Sequence, residues 1–206
     1  MEDGERRHQF GGIDPAGFNV RVLLCQAVGV GDKLRKTVYS LFTLGIDVLK
    51  VPIRLTIEGQ ELRQEQNPVY LGVTLDRKLS MYDHVRVVKE NATSKLSIVK
   101  RLASTGWGAK ASVLRTLYLG AVRSQMEYSL PVQIYASKTA LETLDNVQNH
   151  ALRLICGTFR TTPTAAVEIM ANVPPLRLHR QKAVITAYER YKRLEESCPL
   201  RMMVDS

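Results

Sequence analysis

The chain of 206 residues has a formal net charge of +9, with 45% hydrophobic and 24% charged residues. This length and composition suit one globular domain with a core, or two small ones. No apolar run approaches the roughly 18 residues of a membrane span, and the charged N-terminus shows no targeting signal. The three cysteines and four histidines are scattered, which argues against a disulfide framework and a zinc site. We expect an intracellular protein, nuclear or cytoplasmic, with no membrane partner.

The positive charge is concentrated in one part of the sequence. Residues 77–160 hold 13 basic and 5 acidic side chains, a net charge of +8. Such a surface attracts polyanions, of which nucleic acid is the usual one. A solvated helical face explains the same charges, so charge alone leaves both interpretations open.

The first 32 residues are the least informative part of the sequence. Gly11-Gly12 and Asp14-Pro15 are turn signals. The apolar stretch from Val20 to Val30 suits a strand or a short buried helix. A disordered N-terminal segment over residues 1–32 is the alternative.

Short strands are predicted next. Val38 to Thr43 is rich in β-favouring residues. Apolar and polar side chains alternate from Val51 to Ile57. A turn at Glu58-Gly59-Gln60 and a short returning strand over Glu61 to Gln64 complete a predicted hairpin. Three or four short antiparallel strands here would form a small sheet.

Val69 to Asp76 is the most strand-like stretch of the chain. Most of its residues favour an extended backbone. Gly72 at its centre indicates a position where another backbone or a ligand comes close. We predict one continuous strand that ends the sheet.

After Asp76 the apolar residues recur at steps of three and four, which predicts amphipathic helices. Ser80 and Asp83 resemble a capping box before the first of them. The predicted helices are Tyr82–Ala103, Lys110–Tyr128, Lys138–Cys156 with Gly157 as its stop, a short helix from Thr162-Pro163 (Thr as N-cap) to Ala171, and an amphipathic Leu176–Glu196. In the second helix the predicted inward residues are Val113, Leu114, Leu117, Ala121 and Val122. The predicted fold class is α+β, a small antiparallel sheet followed by a mainly helical bundle.

A series of short motifs in this order resembles the reverse transcriptases of LINE-type (non-LTR, jockey-like) retrotransposons. The motifs are Lys36-Thr-Val-Tyr-Ser-Leu-Phe42, the Ile53-to-Leu62 hairpin, Tyr70-Leu-Gly-Val-Thr-Leu-Asp76 followed by His84, Lys100-Arg-Leu-Ala-Ser104, Trp107-Gly108, Leu114-Arg115, Leu117-Tyr118, Val122-Arg-Ser124, Glu127-Tyr128, Leu144-Asp-Asn-Val-Gln-Asn149, Ala151-Leu-Arg153, Thr161-Thr-Pro-Thr164 and Pro174-Pro-Leu176. The resemblance covers roughly residues 33–196. It implies a palm remnant with a primer-grip hairpin over residues 33–79 and a helical thumb and connection over residues 80–196. Residues 1–32 are unmatched, and residues 197–206 are a C-terminal tail.

The resemblance also implies site residues. Tyr70, Leu71 and Gly72 fall on the primer grip, which fixes the primer end. A thumb holds a duplex whose sequence changes at every step, so it contacts phosphates with Lys and Arg rather than base edges. The candidate phosphate contacts are Arg86, Lys89, Lys100, Arg101 and Arg123. The implied partner is an RNA–DNA or DNA duplex bound without sequence preference. Trp107 is expected in the core rather than as a stacking platform for bases.

One departure from the family bears on catalysis. These polymerases use Mg²⁺ ions held by carboxylates, one pair of them in an aromatic-x-Asp-Asp hairpin, but this sequence contains no Asp-Asp pair. We therefore expect no catalytic or metal-binding residues, no cofactor and no enzyme activity from the chain on its own. The main hypothesis is a partial reverse transcriptase that at most binds primer–template. The alternatives are a helical protein-interaction module and the non-functional product of a degenerate element; the oligomeric state is open.

Overall fold

The computed structural model describes residues 9–13, 19–26, 37–43, 55–57, 60–103, 108–196, 198 and 201. The chain divides into two compact units, Met1–His84 and Val85–Ser206. Every described strand lies in the first unit and nearly all of the helical residues lie in the second. This distribution agrees with the predicted α+β class. The expected core position of Trp107 lies outside the described residues.

The strands of the first unit form one four-stranded sheet and two small hairpins. They are β1 Gln9–Ile13, β2 Asn19–Gln26, β3 Thr37–Phe42, β4 Thr56–Ile57, β5 Gln60–Glu61, β6 Arg63–Gln64, β7 Val69–Tyr70 and β8 Val73–Thr74. The large sheet has the order β1-β2-β3-β6, and the hairpins are β4–β5 and β7–β8. Tyr39 to Thr43 are buried in succession, so β3 is covered on both faces and forms the centre of this unit.

The N-terminal strands settle a question that the sequence left open. β1 and β2 pair antiparallel, with Phe10 opposite Val22, and β2 pairs antiparallel with β3, with Leu24 opposite Tyr39. The interpretation of residues 1–32 as a disordered segment is therefore wrong for residues 9–13 and 19–26. Of the two structures predicted for the apolar stretch that starts at Val20, the strand is confirmed over the residues of β2.

The predicted hairpin is present, but its returning strand divides. β4 and β5 pair antiparallel, with Thr56 opposite Glu61. Beyond the buried Leu62, β6 pairs instead with β3, and this pairing is parallel. The amide of Glu65 donates to the Tyr39 carbonyl at 2.9 Å, and the Ser40 hydroxyl donates to the Glu65 carbonyl at 2.8 Å. The expectation of a purely antiparallel sheet is thus wrong at this edge, because pairing with β3 satisfies the backbone of the chain that follows Leu62.

The helices follow the predicted order. They are α1 Tyr82–Leu102, α2 Ala111–Leu117, a π-helical segment Tyr118–Arg123, α3 Ser124–Glu127, α4 Leu130–Gln133, α5 Lys138–Cys156, α6 Thr164–Ala171 and α7 Leu176–Lys192. The bounds of α5 are those predicted: the Ser137 hydroxyl accepts the amide of Ala140 at its start, and Gly157 ends it with φ 63°. No helix in the described part of the chain is long and apolar enough to cross a membrane.

Two helix ends differ from the prediction. Pro163, not Thr162, occupies the N-cap position of α6, and no side chain caps this end. The last helix ends at Lys192 rather than Glu196. Its expected amphipathic character is also absent: only Leu176 and Arg180 are buried, while several apolar side chains of α7 are exposed.

The second predicted helix contains a π-helical segment that changes which side chains face inward. The buried residues Leu114, Tyr118, Val122 and Met126 recur at every fourth position. In an α-helix four residues turn about 400°, so this row would drift by about 40° per step. The wider π turn, closed by the Ser124 amide donating to the Leu119 carbonyl, reduces the drift. The prediction that Val113, Leu117 and Ala121 face inward is wrong, since all three are exposed.

Candidate nucleic-acid interface

The stretch predicted as one strand, Val69 to Asp76, is a hairpin. Val69 pairs with Thr74 and Tyr70 with Val73, and the two residues between them form the turn. Leu71 has φ 47° and Gly72 has φ 76°, as a two-residue type I′ turn requires. Gly72 is therefore a turn residue and not the mid-strand position that its sequence context indicated.

The tip of this hairpin is exposed and apolar. Leu71 is 73% exposed, Val69 is exposed as well, and Tyr70 is half-buried. A positive φ is unfavourable for Leu, by about 1 kcal/mol or more relative to Gly. An exposed leucine held in that conformation contributes little to a core, and strained positions of this kind often occur at ligand contacts.

The hairpin is joined to the start of α1 by a compact, strained loop. The Asp76 carboxylate accepts hydrogen bonds from the Ser80 amide at 2.9 Å, the Ser80 hydroxyl at 2.9 Å and the Met81 amide at 2.7 Å. Leu79 and Met81 both have positive φ, 53° and 58°. The sequence indicated a capping box of Ser80 and Asp83, whereas the carboxylate that fixes the Ser80 backbone is that of Asp76.

A buried histidine fixes the second strand of the hairpin. The Thr74 amide donates to Nδ1 of His84 at 3.3 Å, and His84 lies in the first turn of α1. Burial lowers the pKa of His84 below its ordinary value of 6.5. Nδ1 accepts a hydrogen bond only when it carries no proton, so lowering the pKa and anchoring β8 favour the same neutral imidazole.

Four of the five candidate phosphate-contacting cations lie together on α1. With the 100° turn per residue of an α-helix, Arg86, Lys89, Lys100 and Arg101 fall within about a third of the circumference. We call these four residues the α1 cationic face. All four are exposed, while Val85, Val88, Ala92, Leu96 and Val99 are buried on the adjacent face, about a third of a turn around the helix.

The α1 cationic face is long and only partly neutralised. From Arg86 to Arg101 it extends about 22 Å at 1.5 Å per residue, the length of about six base pairs of duplex. Glu90 accepts from Nη1 of Arg86 at 3.3 Å, an exposed i,i+4 ion pair. Exposed pairs of this kind contribute little to stability. Lys95 lies off this face and donates to Oε1 of Gln125 at 2.5 Å.

Arg123 does not share this exposure. Its side chain is only 3% exposed, and its Nε donates to Oε1 of Glu127 at 2.6 Å. Its Nη1 donates to Oε1 of Gln148 at 3.1 Å and to the Pro174 carbonyl at 2.9 Å. A guanidinium so buried does not reach a duplex on the surface, which weighs against the expected phosphate contact and indicates a structural role.

Arg123 is the centre of a buried polar network. Gln148 also accepts from the Tyr118 hydroxyl at 3.1 Å and donates to Glu168 and to the Pro174 carbonyl. Burial raises the pKa of Tyr118 far above its usual range, so the phenol stays a donor. Gln148 therefore bridges several elements of the unit. Periodicity alone does not show this network, because its partners, apart from the Arg123–Glu127 pair, are 20 to 51 residues apart in sequence.

Two further motif arginines also donate to backbone carbonyls. Nε of Arg115 donates to the Ala171 carbonyl at 2.8 Å and its Nη2 to the Asn172 carbonyl at 2.8 Å, at the C-terminal end of α6. Nη1 of Arg153 donates to the Thr162 carbonyl at 2.8 Å. The sequence contains one feature that could have identified these arginines as structural. Each follows a leucine or valine of a buried helix face within a family motif, and this position lies next to the core.

The described residues do not provide a site for the Mg²⁺ ions of the polymerase family. No group of three or more His, Cys, Asp or Glu side chains among them could hold a metal ion.

Comparison with known proteins supports the resemblance drawn from the motifs. The chain is 25% identical over 139 residues to "Retrovirus-related Pol polyprotein from type-1 retrotransposable element R1 4" of Nasonia vitripennis, which covers 64% of this chain and 34% of the relative. It is 26% identical over 122 residues to "Probable RNA-directed DNA polymerase from transposon BS" and to "RNA-directed DNA polymerase from mobile element jockey", both of Drosophila melanogaster, covering 59% of this chain and 13% of each relative. No family model matches the sequence, and no solved structure matches the fold.

These relatives confirm the resemblance to the reverse transcriptases of non-LTR, LINE-type retrotransposons, and the match covers a fragment of each relative. The chain spans about a third of the length of the first relative and about an eighth of the other two.

Proposed function

We propose that this chain is the primer–template-holding part of a LINE-type reverse transcriptase, with a palm remnant in residues 33–79 and a thumb and connection in residues 80–196. It binds RNA–DNA or DNA duplex through phosphates and does not read base sequence. The observation that carries the proposal is the α1 cationic face, in which Arg86, Lys89, Lys100 and Arg101 present charge along one side of a helix. Phosphate contacts of this kind position a duplex without specifying its sequence.

The hairpin β7–β8 is the proposed primer grip. Tyr70, Leu71 and Gly72 form its tip, and Asp76 and His84 fix its base. A rigid two-stranded hairpin with an exposed, positive-φ turn can place backbone and apolar contacts against a sugar or base edge. Anchoring of β8 through His84 would keep that placement constant from one nucleotide addition to the next.

The chain is proposed to hold nucleic acid and not to polymerise by itself. Phosphoryl transfer by this family requires carboxylates that bind two metal ions, and the sequence contains no Asp-Asp pair. Nucleotide addition would therefore need a catalytic half supplied by another polypeptide segment.

Duplex binding by the full chain tests the proposal. Fluorescence anisotropy would measure Kd for a labelled RNA–DNA hybrid and two unrelated DNA duplexes between roughly 50 and 200 mM salt. Four phosphate contacts predict a slope of log K against log salt of about −3.5, since each contact contributes about −0.9. The three duplexes should bind with Kd values within a few-fold of one another. Absence of binding at the lowest salt, or a strong dependence on base sequence, would contradict the proposal.

A further inference from the structure

Helix α7 is held against its own unit by one face. Leu176 is buried at its start, and the Arg180 guanidinium donates through Nη2 to both carboxylate oxygens of Asp145, at 2.8 and 2.7 Å. Nδ1 of His179 lies 3.1 Å from Oε1 of Glu127. These contacts to α3 and α5 fix the rotation of α7 about its axis and therefore define which side chains point outward.

The opposite face of α7 is apolar and exposed. Ile185 lies about 180° around the helix from Leu176, and Leu178, Ile185 and Tyr188 are 48%, 62% and 43% exposed. Together with Gln181 and Lys192 they follow alternating steps of three and four residues, the spacing of the contact seam in paired helices. We call Leu178, Gln181, Ile185, Tyr188 and Lys192 the outer seam of α7. Apolar residues on both sides explain why this helix is not amphipathic.

The charges around the outer seam favour a partner of negative charge. α7 contains five Lys and Arg residues and one acidic residue, Glu189. Arg177 and Lys182 flank the seam and are exposed, and Nζ of Lys192 lies 5.2 Å from the centroid of the Tyr188 ring. Two copies of this face would bring like charges together, which disfavours self-association. An acidic partner would be attracted.

We propose that the outer seam of α7 binds an amphipathic helix of an acidic protein partner. The apolar residues of that helix would pack on Leu178, Ile185 and Tyr188, and its flanking carboxylates would pair with Arg177 and Lys182. A nucleic acid fits this face less well, because phosphate contacts need cations and not aliphatic side chains at the centre of the surface. The proposal is independent of duplex binding by α1.

A designed peptide probe tests this proposal on the full chain. The probe is a labelled helix of about three heptads with Leu at a and d and Glu at e and g, whose own charges oppose its self-pairing. A scrambled peptide of the same composition is the control probe. Anisotropy should show saturable binding of the designed probe, and the Leu178→Asp/Ile185→Asp variant should weaken it by about tenfold or more. The control Ile169→Asp, which changes an even more exposed isoleucine on α6, should leave binding unchanged.

A second variant covers the case in which the double aspartate variant folds poorly. Lys182→Glu/Lys192→Glu should weaken the Glu-flanked probe and strengthen a Lys-flanked version of it. Equal binding of the scrambled peptide, or binding unaffected by every seam variant, would overturn the proposal. So would a dimer that Ile185→Asp dissociates in sedimentation, which assigns the face to a second copy, or affinity for a labelled single-stranded oligonucleotide that falls in the seam variants.

Discussion

Arg123 and Arg86 belong to helices of the same unit and look alike in sequence, but the structure gives them opposite surroundings. The side chain of Arg123 is 3% exposed and donates to Glu127, Gln148 and Pro174. The side chain of Arg86 is 52% exposed and pairs with Glu90 at the surface. The first is a structural cation of the core, and the second is a cation of the exposed surface.

The burial of some arginines changes how the net charge of residues 77–160 is interpreted. Residues 77–160 carry a net +8, but Arg115, Arg123 and Arg153 within this segment donate to backbone carbonyls that end or connect helices. These arginines join elements of the fold, and their charge contributes less to a binding surface than their number suggests.

The largest expected effect on stability comes from removing the buried arginine, Arg123. Arg123→Ala should lower the free energy of unfolding by about 3–5 kcal/mol, because it removes the buried guanidinium that pairs with the Glu127 carboxylate and donates to the Gln148 oxygen and the Pro174 carbonyl. Urea denaturation measures it. Arg86→Ala, the exposed counterpart, should change stability by less than about 0.5 kcal/mol. Similar values for the two variants would remove the distinction between core and surface arginines.

A smaller effect, on the pH dependence of stability, is expected from the buried His84. Because burial lowers the pKa of His84, its contribution to stability is complete above about pH 6.5, the unfolded value. This contribution is lost as the pH falls from 6.5 through the lowered pKa of the folded state. In that pH range the unfolded chain binds a proton at His84 more readily than the folded chain does. Stability measured from pH 7.5 to 5 should therefore fall less steeply in His84→Gln than in the wild type. Equal slopes in the wild type and in His84→Gln would contradict the assignment of His84 as a buried, neutral imidazole.

The smallest effect concerns the exposed hairpin tip. Leu71→Asn should raise the free energy of unfolding by roughly 0.5–1 kcal/mol, since Asn-Gly suits a turn in which both residues have positive φ. Thermal unfolding measures the change, with Leu71→Ala as the control that removes the side chain but keeps the strain. If the tip leucine contacts the primer, the Leu71→Asn variant should bind duplex less tightly although it is more stable. A destabilised Leu71→Asn variant would contradict the turn geometry.

The sequence predicts the parts of this molecule that depend on local regularity. The apolar rows of α1 and α5, with Ser137 and Gly157 at the ends of α5, are local signals, and both helices match closely. The hairpin at Leu71 is not predicted, because β-favouring residues flank a turn whose first residue is an unfavourable leucine. The π-helical segment closes a hydrogen bond across five residues instead of four, which an α-helical period does not predict. The burial of Arg123 depends on partners on α5 and before α7, which no local pattern contains.

The most direct test of duplex binding by α1 compares two variants of equal net charge. Lys89→Gln/Lys100→Gln removes two cations from the α1 cationic face, and Lys138→Gln/Arg160→Gln removes two exposed cations elsewhere in the same unit. Anisotropy with one RNA–DNA hybrid, over a range of salt concentrations, should show a slope of log K against log salt shallower by about 2 for the first variant only. Equal slopes and equal loss of affinity in the two variants would show that net charge alone binds the duplex, and that α1 is not the interface.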